Sequence, residues 1–144
     1  MPILNYTTTI STEKTAGEIQ SMLAKAGANA IMIEYGPDAV MSAMSFRINT
    51  THGVITFRLP SNTEGVFQSL CASKKVPRAK KTHEQAARVA WRILKDWIEA
   101  QLAITEAQLA DLEQVFLPYA QDANGVTVYD RLQKQGFKAL AAPN

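Results

Sequence analysis

Cysteine is almost absent from this chain of 144 residues, which contains only Cys71. A disulfide bond within the chain is therefore impossible, and the composition fits a reducing compartment. No histidine and acid stand near Cys71 in the arrangement that activates a thiol nucleophile. We expect its side chain to be a small buried hydrophobic group near a helix end.

Long apolar runs are also missing. No run approaches the roughly 18 to 20 residues that a membrane helix requires, and the first residues, MPILNYTTTIS, lack the basic leader and apolar core of a signal peptide. We therefore expect a soluble, cytoplasmic protein with no membrane partner. Apolar residues still make up 47% of the chain and charged residues 19%, so we expect one domain, residues 1–144, with a buried core.

Recognised catalytic and metal-binding spacings are absent as well. His52 and His83 are far apart, with no carboxylate at ligand spacing, so no metal site is predicted. There is no carboxylate pair, no serine and histidine arrangement and no glycine-rich phosphate loop at a known spacing. The sequence thus predicts no cofactor and favours a protein that is not an enzyme. A small hydrolase or nuclease would need acids or histidines that converge only in three dimensions.

The first half of the chain reads as one helix among short strands. Alternation in YTTTIS predicts a first strand, and helical spacing in TEKTAGEIQSMLAKAGA predicts a helix that ends at Gly27. NAIMIEY is a further strand, closed by the turn signal YGPD. AVMSAMSFRIN and GVITFRLP then form a hairpin around TTHG.

The second half of the chain is predicted to be helical. NTEGVFQSL reads as a short helix capped by Asn62 or Ser61, and a long helix runs from about His83 to about Gln108. A short helix or turn follows, through Phe116, and a last helix lies near 129–135. The order strand, helix, three strands and then helices predicts an α+β fold, a small antiparallel meander with helices packed on one face.

The two faces of the hairpin are predicted to differ in polarity. An even-numbered loop places two apolar sets on one face. The opposite face then carries Arg47, Thr56 and Arg58, and Glu34 is expected to balance one of these arginines. The apolar sets are Met44, Phe46 and Ile48 on one strand and Ile55, Phe57 and Leu59 on the other.

The long helix carries one predicted buried stripe. Thr82 and Gln85 match a capping box, in which each side chain satisfies the other residue's backbone N–H. Trp97 lies about 60° off the stripe, so it packs on a neighbouring helix or a partner subunit, or stacks on a base. FLPY is predicted to hold the tail to the core. The stripe consists of Ala87, Trp91, Leu94, Ile98, Leu102 and Thr105.

Charge is unevenly distributed along a chain whose formal net charge is only +2. Eight of the fifteen basic residues lie between Lys74 and Lys95, where Glu84 is the only acid. From Asp96 to Asp130, seven acids follow without a lysine or arginine. This order opposes the helix dipole, which favours acids at the N-terminus. A local arrangement against such a rule indicates a place to look for function.

These cations predict a phosphate-binding patch on one edge of the domain. Arg47 and Arg58 add a second strip if the exposed sheet face adjoins that edge. The alternative is an ordinary solvated surface in which Arg92 pairs with Asp96 and Lys95 pairs with Glu99. The predicted patch consists of Lys74, Lys75, Arg78, Lys80, Lys81, Arg88, Arg92 and Lys95.

The segments ITFRLP, EQAARVAWRILKDWIEAQLA and VFLPY resemble a group of small uncharacterised proteins encoded by bacteriophages and integrated mobile elements. The similarity runs from the first helix through Tyr119, and the tryptophan pair with RILKDWIEAQ is its most specific part. The group has no established activity, so the resemblance implies a setting in a bacterial host and no catalytic residue. Small phage proteins of this size often bind nucleic acid, bind nucleotides or block a host defence system.

Two hypotheses of different classes follow from the patch and the resemblance. In the first, a non-enzymatic phage or mobile-element protein binds DNA or RNA through backbone phosphates with little sequence preference. In the second, the protein is a host-defence inhibitor or sponge that binds a protein partner or a small phosphorylated nucleotide signal. Arg47 and Arg58 would then matter more than the lysines, and a homo-oligomer is expected because protomers together enclose a small ligand more easily.

Overall fold

The protein folds as an α+β domain in a computed structural model that describes residues 1–143. The strands β1, β2 and β3 form an antiparallel meander in that order, as the sequence predicted. The longest helix, α3, lies in the C-terminal half, also as predicted. The elements are α1 (Thr12–Lys25), β1 (Ala30–Tyr35), β2 (Met41–Thr50), β3 (Gly53–Pro60), α2 (Thr63–Ala72), α3 (His83–Glu106), α4 (Leu112–Val115) and α5 (Val128–Lys134).

The hairpin turns the two predicted apolar sets toward one face of the sheet. Thr50 pairs with Gly53 around a two-residue turn, and Gly53 has a φ of 108°, a conformation that glycine adopts at low cost. Phe46 lies opposite Phe57, and their rings stack with centroids 5.1 Å apart. The alternation of two residues therefore gives the sheet one apolar face, as expected for a half-covered antiparallel sheet.

Helices α1 and α3 cover the apolar face of the sheet. Ile19 from α1 is fully buried there, together with Trp91 and Ile98 from α3. Phe116, just after α4, is also fully buried and meets Phe46 edge to face at 5.4 Å. The FLPY segment therefore holds the tail to the core, as predicted, because its first ring fills the space between sheet and helix.

A second hydrophobic cluster lies between α2 and α3, so α3 buries two stripes instead of the one predicted. Val66 and Leu70 of α2 pack against Val89 and Ala90 of α3 in this cluster. Residues at i and i+4 share one side of a helix, which explains why Val66 and Leu70 face α3 together. Cys71 falls beside that stripe and is exposed, so the prediction of a buried thiol is wrong.

The first predicted strand, YTTTIS, is wrong. Residues 4–7 form a turn, and no strand of the sheet pairs with residues 6–11 in the described part of the chain. The backbone oxygens of Tyr6 and Thr8 accept hydrogen bonds, both 2.9 Å, from the side-chain amide of Gln85. Threonine favours strands only where a neighbouring strand is available, and here a helix side chain takes the carbonyls.

The same contacts correct half of the predicted capping box. Thr82 Oγ1 accepts from the backbone N–H of Gln85 at 3.0 Å, as expected for the N-cap of α3. The Gln85 side chain, however, turns away from the helix start to hold residues 6–8. We call residues 3–8 the N-terminal arm; Ile3 and Tyr6 pack against the second cluster.

Trp97 packs on the chain's own tail. Its ring meets Phe116 and Tyr119 edge to face, each with centroids 5.5 Å apart. The predicted partners of Trp97 are a neighbouring helix, a partner subunit or a base. In the structure, Trp97 packs on a neighbouring segment of its own chain. The indole contributes to the first core where the tail crosses α3.

The tail returns to the free edge of β3 through a turn at Asp122. The N–H of Gln121 donates to the Thr56 oxygen at 2.8 Å. The carboxylate of Asp122 accepts from the N–H groups of Asn124 and Val126 and pairs with Arg131. This turn positions α5 beside the sheet edge.

Candidate nucleic-acid interface

The segment from Ser73 to Thr82, which we call the basic loop, connects α2 to α3 and is held in place at several points. Val76 is buried in the second cluster, and its N–H donates to the Ser73 oxygen at 3.4 Å. A single 3₁₀ turn spans Arg78–Lys80, with the Lys80 N–H donating to the Pro77 oxygen at 2.9 Å. These contacts hold the loop backbone in one conformation, which sets the positions from which its side chains extend.

Five cations of the predicted patch lie on this loop. Lys74, Lys75 and Arg78 are exposed, and Lys80 and Lys81 are half-buried. The loop contains no acid, and none of the ion pairs found in residues 1–143 involves these five side chains. Their charges are consequently available to a partner from solution.

The three helix cations of the predicted patch are instead paired with the protein's own carboxylates. Arg88 Nη1 lies 3.2 Å from Glu84, and its Nε donates to Gln85 Oε1 at 2.9 Å. Lys95 Nζ lies 3.2 Å from Glu99. This second pair is the one that the solvated-surface alternative predicted.

Arg92 is the most enclosed of the three. Its side chain is 14% exposed, and its guanidinium pairs with Glu18 and donates to Thr15 of α1. The expected pair with Asp96 is wrong, because Asp96 accepts from the Asn5 side chain at 2.8 Å. Arg92 therefore joins α3 to α1.

The two sheet arginines lie on the outer face of the hairpin, as predicted. Arg58 is salt-bridged to Glu34 at 2.8 Å, so the expected charge balance by Glu34 is confirmed. Arg47 is exposed, and its Nε donates to Asn29 Oδ1 over a long 3.4 Å. Neither arginine is hydrogen-bonded to the basic loop anywhere in residues 1–143, and only Arg47 leaves its guanidinium largely to solvent.

A cavity of about 430 Å³ lies beside the basic loop. Lys80 and Arg88 line it together with Thr9 and Gln85. An anion in this cavity would meet the lysine directly, and it would meet an arginine whose charge Glu84 already offsets in part.

A larger cavity of about 530 Å³, which we call the N-terminal cavity, lies where three helices begin. Thr12 of α1, Thr63 of α2 and His83 of α3 all line it. Sequence reasoning missed this cavity because the three helix starts are far apart in the chain. Its only signals in the sequence are the separate cap residues, and no local pattern shows that they converge.

In the part of the chain that the structure describes, no group of three or more histidine, cysteine or acidic side chains is placed to hold a metal ion. Across residues 1–143, no helix combines the length and the hydropathy of a membrane span. Comparisons of the chain with protein-family models, with curated proteins and with solved structures found no match.

Proposed function

We propose that this chain is a non-enzymatic protein that binds nucleic acid through backbone phosphates at the basic loop. The observation that supports the proposal is the set of five cations that lie on an acid-free, well-held loop and take no part in an ion pair within residues 1–143. The resemblance to phage and mobile-element proteins suggests a bacterial cytoplasm as the setting.

A polymer suits this loop better than a single phosphate does. The five charges are spread over the eight residues from Lys74 to Lys81, so one small anion cannot contact all of them. Each phosphate that a lysine or arginine neutralises releases counterions, and this release supplies the affinity of non-specific binding. The start of α3 follows directly and adds backbone N–H groups and the positive end of its dipole.

Little sequence preference is expected of this surface. Lysine binds phosphate as a point charge on a flexible stem, and four of the five loop cations are lysines. Phosphate contacts fix the position of a nucleic acid, whereas contacts to base edges read its sequence. The loop presents a single 3₁₀ turn and no regular helix or ribbon that fits a groove.

The decisive experiment compares two triple variants that remove the same charge. One replaces Lys74, Lys75 and Lys81 by glutamine. The matched control replaces three exposed lysines elsewhere, Lys14, Lys25 and Lys138. Fluorescence anisotropy with labelled DNA and RNA at about 50 and about 200 mM salt measures the affinity and its salt dependence.

We expect the loop variant to bind more weakly, and the slope of log K against log salt to fall by about 0.9 for each duplex phosphate that the protein no longer neutralises. The control should retain the wild-type slope. Equal affinities for the two variants at both salt concentrations would show that the loop is not the contact surface.

A second candidate function keeps support from Arg47, whose guanidinium is exposed. Strand β1 is paired on one side only, and its Met32 and Tyr35 are exposed, which leaves an edge for a second subunit. A protein of this kind would hold a partner or a small phosphorylated nucleotide between subunits. Light scattering and the ratio of absorbance at 260 and 280 nm, before and after a high-salt wash, test this alternative. A monomer without co-purified nucleotide contradicts it.

A further inference from the structure

The two edges of the sheet differ in how the chain covers them. The tail lies along the outer edge of β3, where the Gln121 N–H donates to the Thr56 oxygen at 2.8 Å. Within residues 1–143, no strand or isolated bridge pairs with the outer edge of β1. The sequence of β1, AIMIEY, also lacks the lysine and proline residues that protect many natural edges. An open edge of this kind is a template for a further strand.

The free backbone groups at this edge belong to Ile31 and Ile33. The Glu34 oxygen accepts from Ser42 Oγ of β2 at 3.3 Å, so the backbone groups of Glu34 point toward β2. Successive residues of an antiparallel strand direct these groups to opposite sides, which leaves the N–H and C=O of Ile31 and Ile33 at the outer edge. Their side chains are partly buried against the first core, so a strand added here extends the apolar face of the sheet.

Two copies of β1 can pair antiparallel about a two-fold axis so that Ile31 lies opposite the partner's Ile33. The backbone groups that both residues leave free then form two hydrogen bonds at each such pair. In this register Met32 faces the partner's Met32 on the axis, and Ala30 faces the partner's Glu34. Because a two-fold interface is self-complementary, each contact away from the axis occurs twice.

Charge complementarity selects this register. Ala30 is the neighbour of Arg47 on the outer face of the sheet, so the partner's Glu34 lies two strands from Arg47, about 10 Å between Cα atoms. Arg58 spans a longer path on the same face, about 12 Å, because its pair with Glu34 is also offset by two residues along the strands. Arg47 is therefore within reach of the partner's Glu34. A shift of the register by two residues in either direction moves that carboxylate off the row of Arg47.

Both groups of this ion pair have capacity to spare within one chain. The Arg47 side chain is exposed, and its hydrogen bond to Asn29 Oδ1 is a long 3.4 Å. None of the ion pairs in the described part of the chain includes Arg47. The Glu34 carboxylate accepts two hydrogen bonds from Arg58, and an ionised carboxylate has about four lone-pair sites. It can therefore accept a second arginine.

We propose that a second copy of this chain pairs with β1 and extends the three-stranded sheet of each protomer across a two-fold axis at Met32. The Arg47 guanidinium of each protomer binds Glu34 of the partner subunit, and the backbone groups of Ile31 and Ile33 join the two strands. The dimer goes beyond the proposed function, because it assigns an occupant and a register to the open edge of β1. It requires neither nucleic acid nor the basic loop.

Disulfide trapping tests the register. All variants carry Cys71→Ser, so the introduced thiol is the only one in the chain. Met32→Cys places two thiols opposite each other, with Cα atoms about 4.5 Å apart, a distance that a disulfide bond can span. Ala30→Cys is the matched control, because its two equivalent positions lie about 14 Å apart in the proposed pairing.

In a glutathione redox buffer, we expect Met32→Cys to form a covalent dimer and Ala30→Cys to remain a monomer. Oxidised glutathione takes the two electrons and is reduced as the protein disulfide forms. A monomeric Met32→Cys, or cross-linking of Ala30→Cys to the same extent, overturns the pairing.

Sedimentation equilibrium without nucleic acid tests the contacts, over protein concentrations from about 1 µM to about 1 mM. The wild type should form dimers that dissociate on dilution, since an interface built on one strand edge is small. Met32→Lys opposes two lysines on the axis and should raise the dissociation constant about tenfold. Arg47→Gln removes both ion pairs and should raise it about threefold.

Val54→Lys, at an exposed position on the outer face of β3, is the control and should associate like the wild type. Thermal melting establishes that each variant is folded. A wild type that is monomeric at the highest concentration, or equal dissociation constants for Met32→Lys and Val54→Lys, overturns the proposal. An unchanged constant in Arg47→Gln contradicts the register. Neither experiment involves nucleic acid, so a failed dimer leaves the proposed function standing.

Discussion

Arg58 on β3 reaches across the central strand of the sheet to Glu34 on β1. Its Nε lies 2.8 Å from Oε2 and its Nη2 lies 3.3 Å from Oε1. Ala43 and Ser45 of β2 stand in register between the two strands and are buried although they belong to the outer face. Small side chains at these two positions leave room for the ion pair above them, and the pair neutralises the charge of Arg58 within the protein.

The Arg58 and Glu34 pair is expected to contribute little to stability. Both side chains are about one-third exposed, and ion pairs in contact with water typically contribute about 0 to 1 kcal/mol. A double-mutant cycle with Glu34→Gln and Arg58→Gln in urea should therefore give a coupling free energy below about 1 kcal/mol. Arg58→Gln should also leave nucleic-acid affinity at the wild-type level. A loss of affinity would show that the outer face of the sheet takes part in binding.

Arg92 should matter for folding and not for nucleic-acid binding. Arg92→Ala removes charged hydrogen bonds between α3 and α1, so we expect the free energy of unfolding to fall by about 1.5 to 3 kcal/mol. Lys81→Ala is the companion variant, with the opposite expectation: unchanged stability and weaker binding. Denaturant unfolding and anisotropy measure the two quantities. If Arg92→Ala is folded but binds nucleic acid more weakly, a helix cation also contributes to binding. That result would contradict the assignment of binding to the loop cations alone.

Gln85 is predicted to hold the N-terminal arm. Gln85→Ala deletes both hydrogen bonds to the oxygens of Tyr6 and Thr8, and we expect the free energy of unfolding to fall by about 1 to 3 kcal/mol. Hydrogen exchange should accelerate at the Thr8 amide, which donates to the Asn5 oxygen at 3.0 Å in the intact arm. Gln68→Ala, at an exposed position of α2, is the control. An unchanged exchange rate in Gln85→Ala would show that the arm is held by other contacts.

Asp122 should make the tail turn sensitive to acid. Hydrogen bonds from the Val126 and Asn124 N–H groups, together with Arg131, lower the pKa of its carboxyl despite some desolvation. Because the pKa is lower in the folded state, the stabilisation is present above the unfolded pKa of about 3.9 and is lost as pH falls through the folded value. Asp122→Asn should therefore weaken the pH dependence of α5 stability below about pH 4, measured by NMR amide shifts. If Asp122→Asn and the wild type lose α5 stability equally as the pH falls, the Asp122 turn is not the cause of that loss.

Much of the fold was predictable because it depends on patterns among residues that are close together in the sequence. The apolar alternation of β2 and β3 correctly predicted that Phe46 and Phe57 share one face of the sheet, since a two-residue period leaves one choice of face. Candidate caps at Asn62 or Ser61 and at Thr82 marked the starts of α2 and α3, because a side-chain oxygen there satisfies a free backbone N–H. The strand predicted at YTTTIS is wrong because strand propensity is a local property, and it does not indicate whether a partner strand is available.

The sequence alone determined where the cations are concentrated, which residues form most of the helices and strands, and which sheet face is apolar, since all three depend on neighbours within a few positions. Tertiary structure decided which cations remain available. Arg92 meets a carboxylate 74 positions away, while the acid-free loop around Lys75 keeps its charges unpaired within residues 1–143. It also brought three helix starts together around Trp91. Contacts of this kind depend on how whole elements pack, and no local spacing encodes that packing.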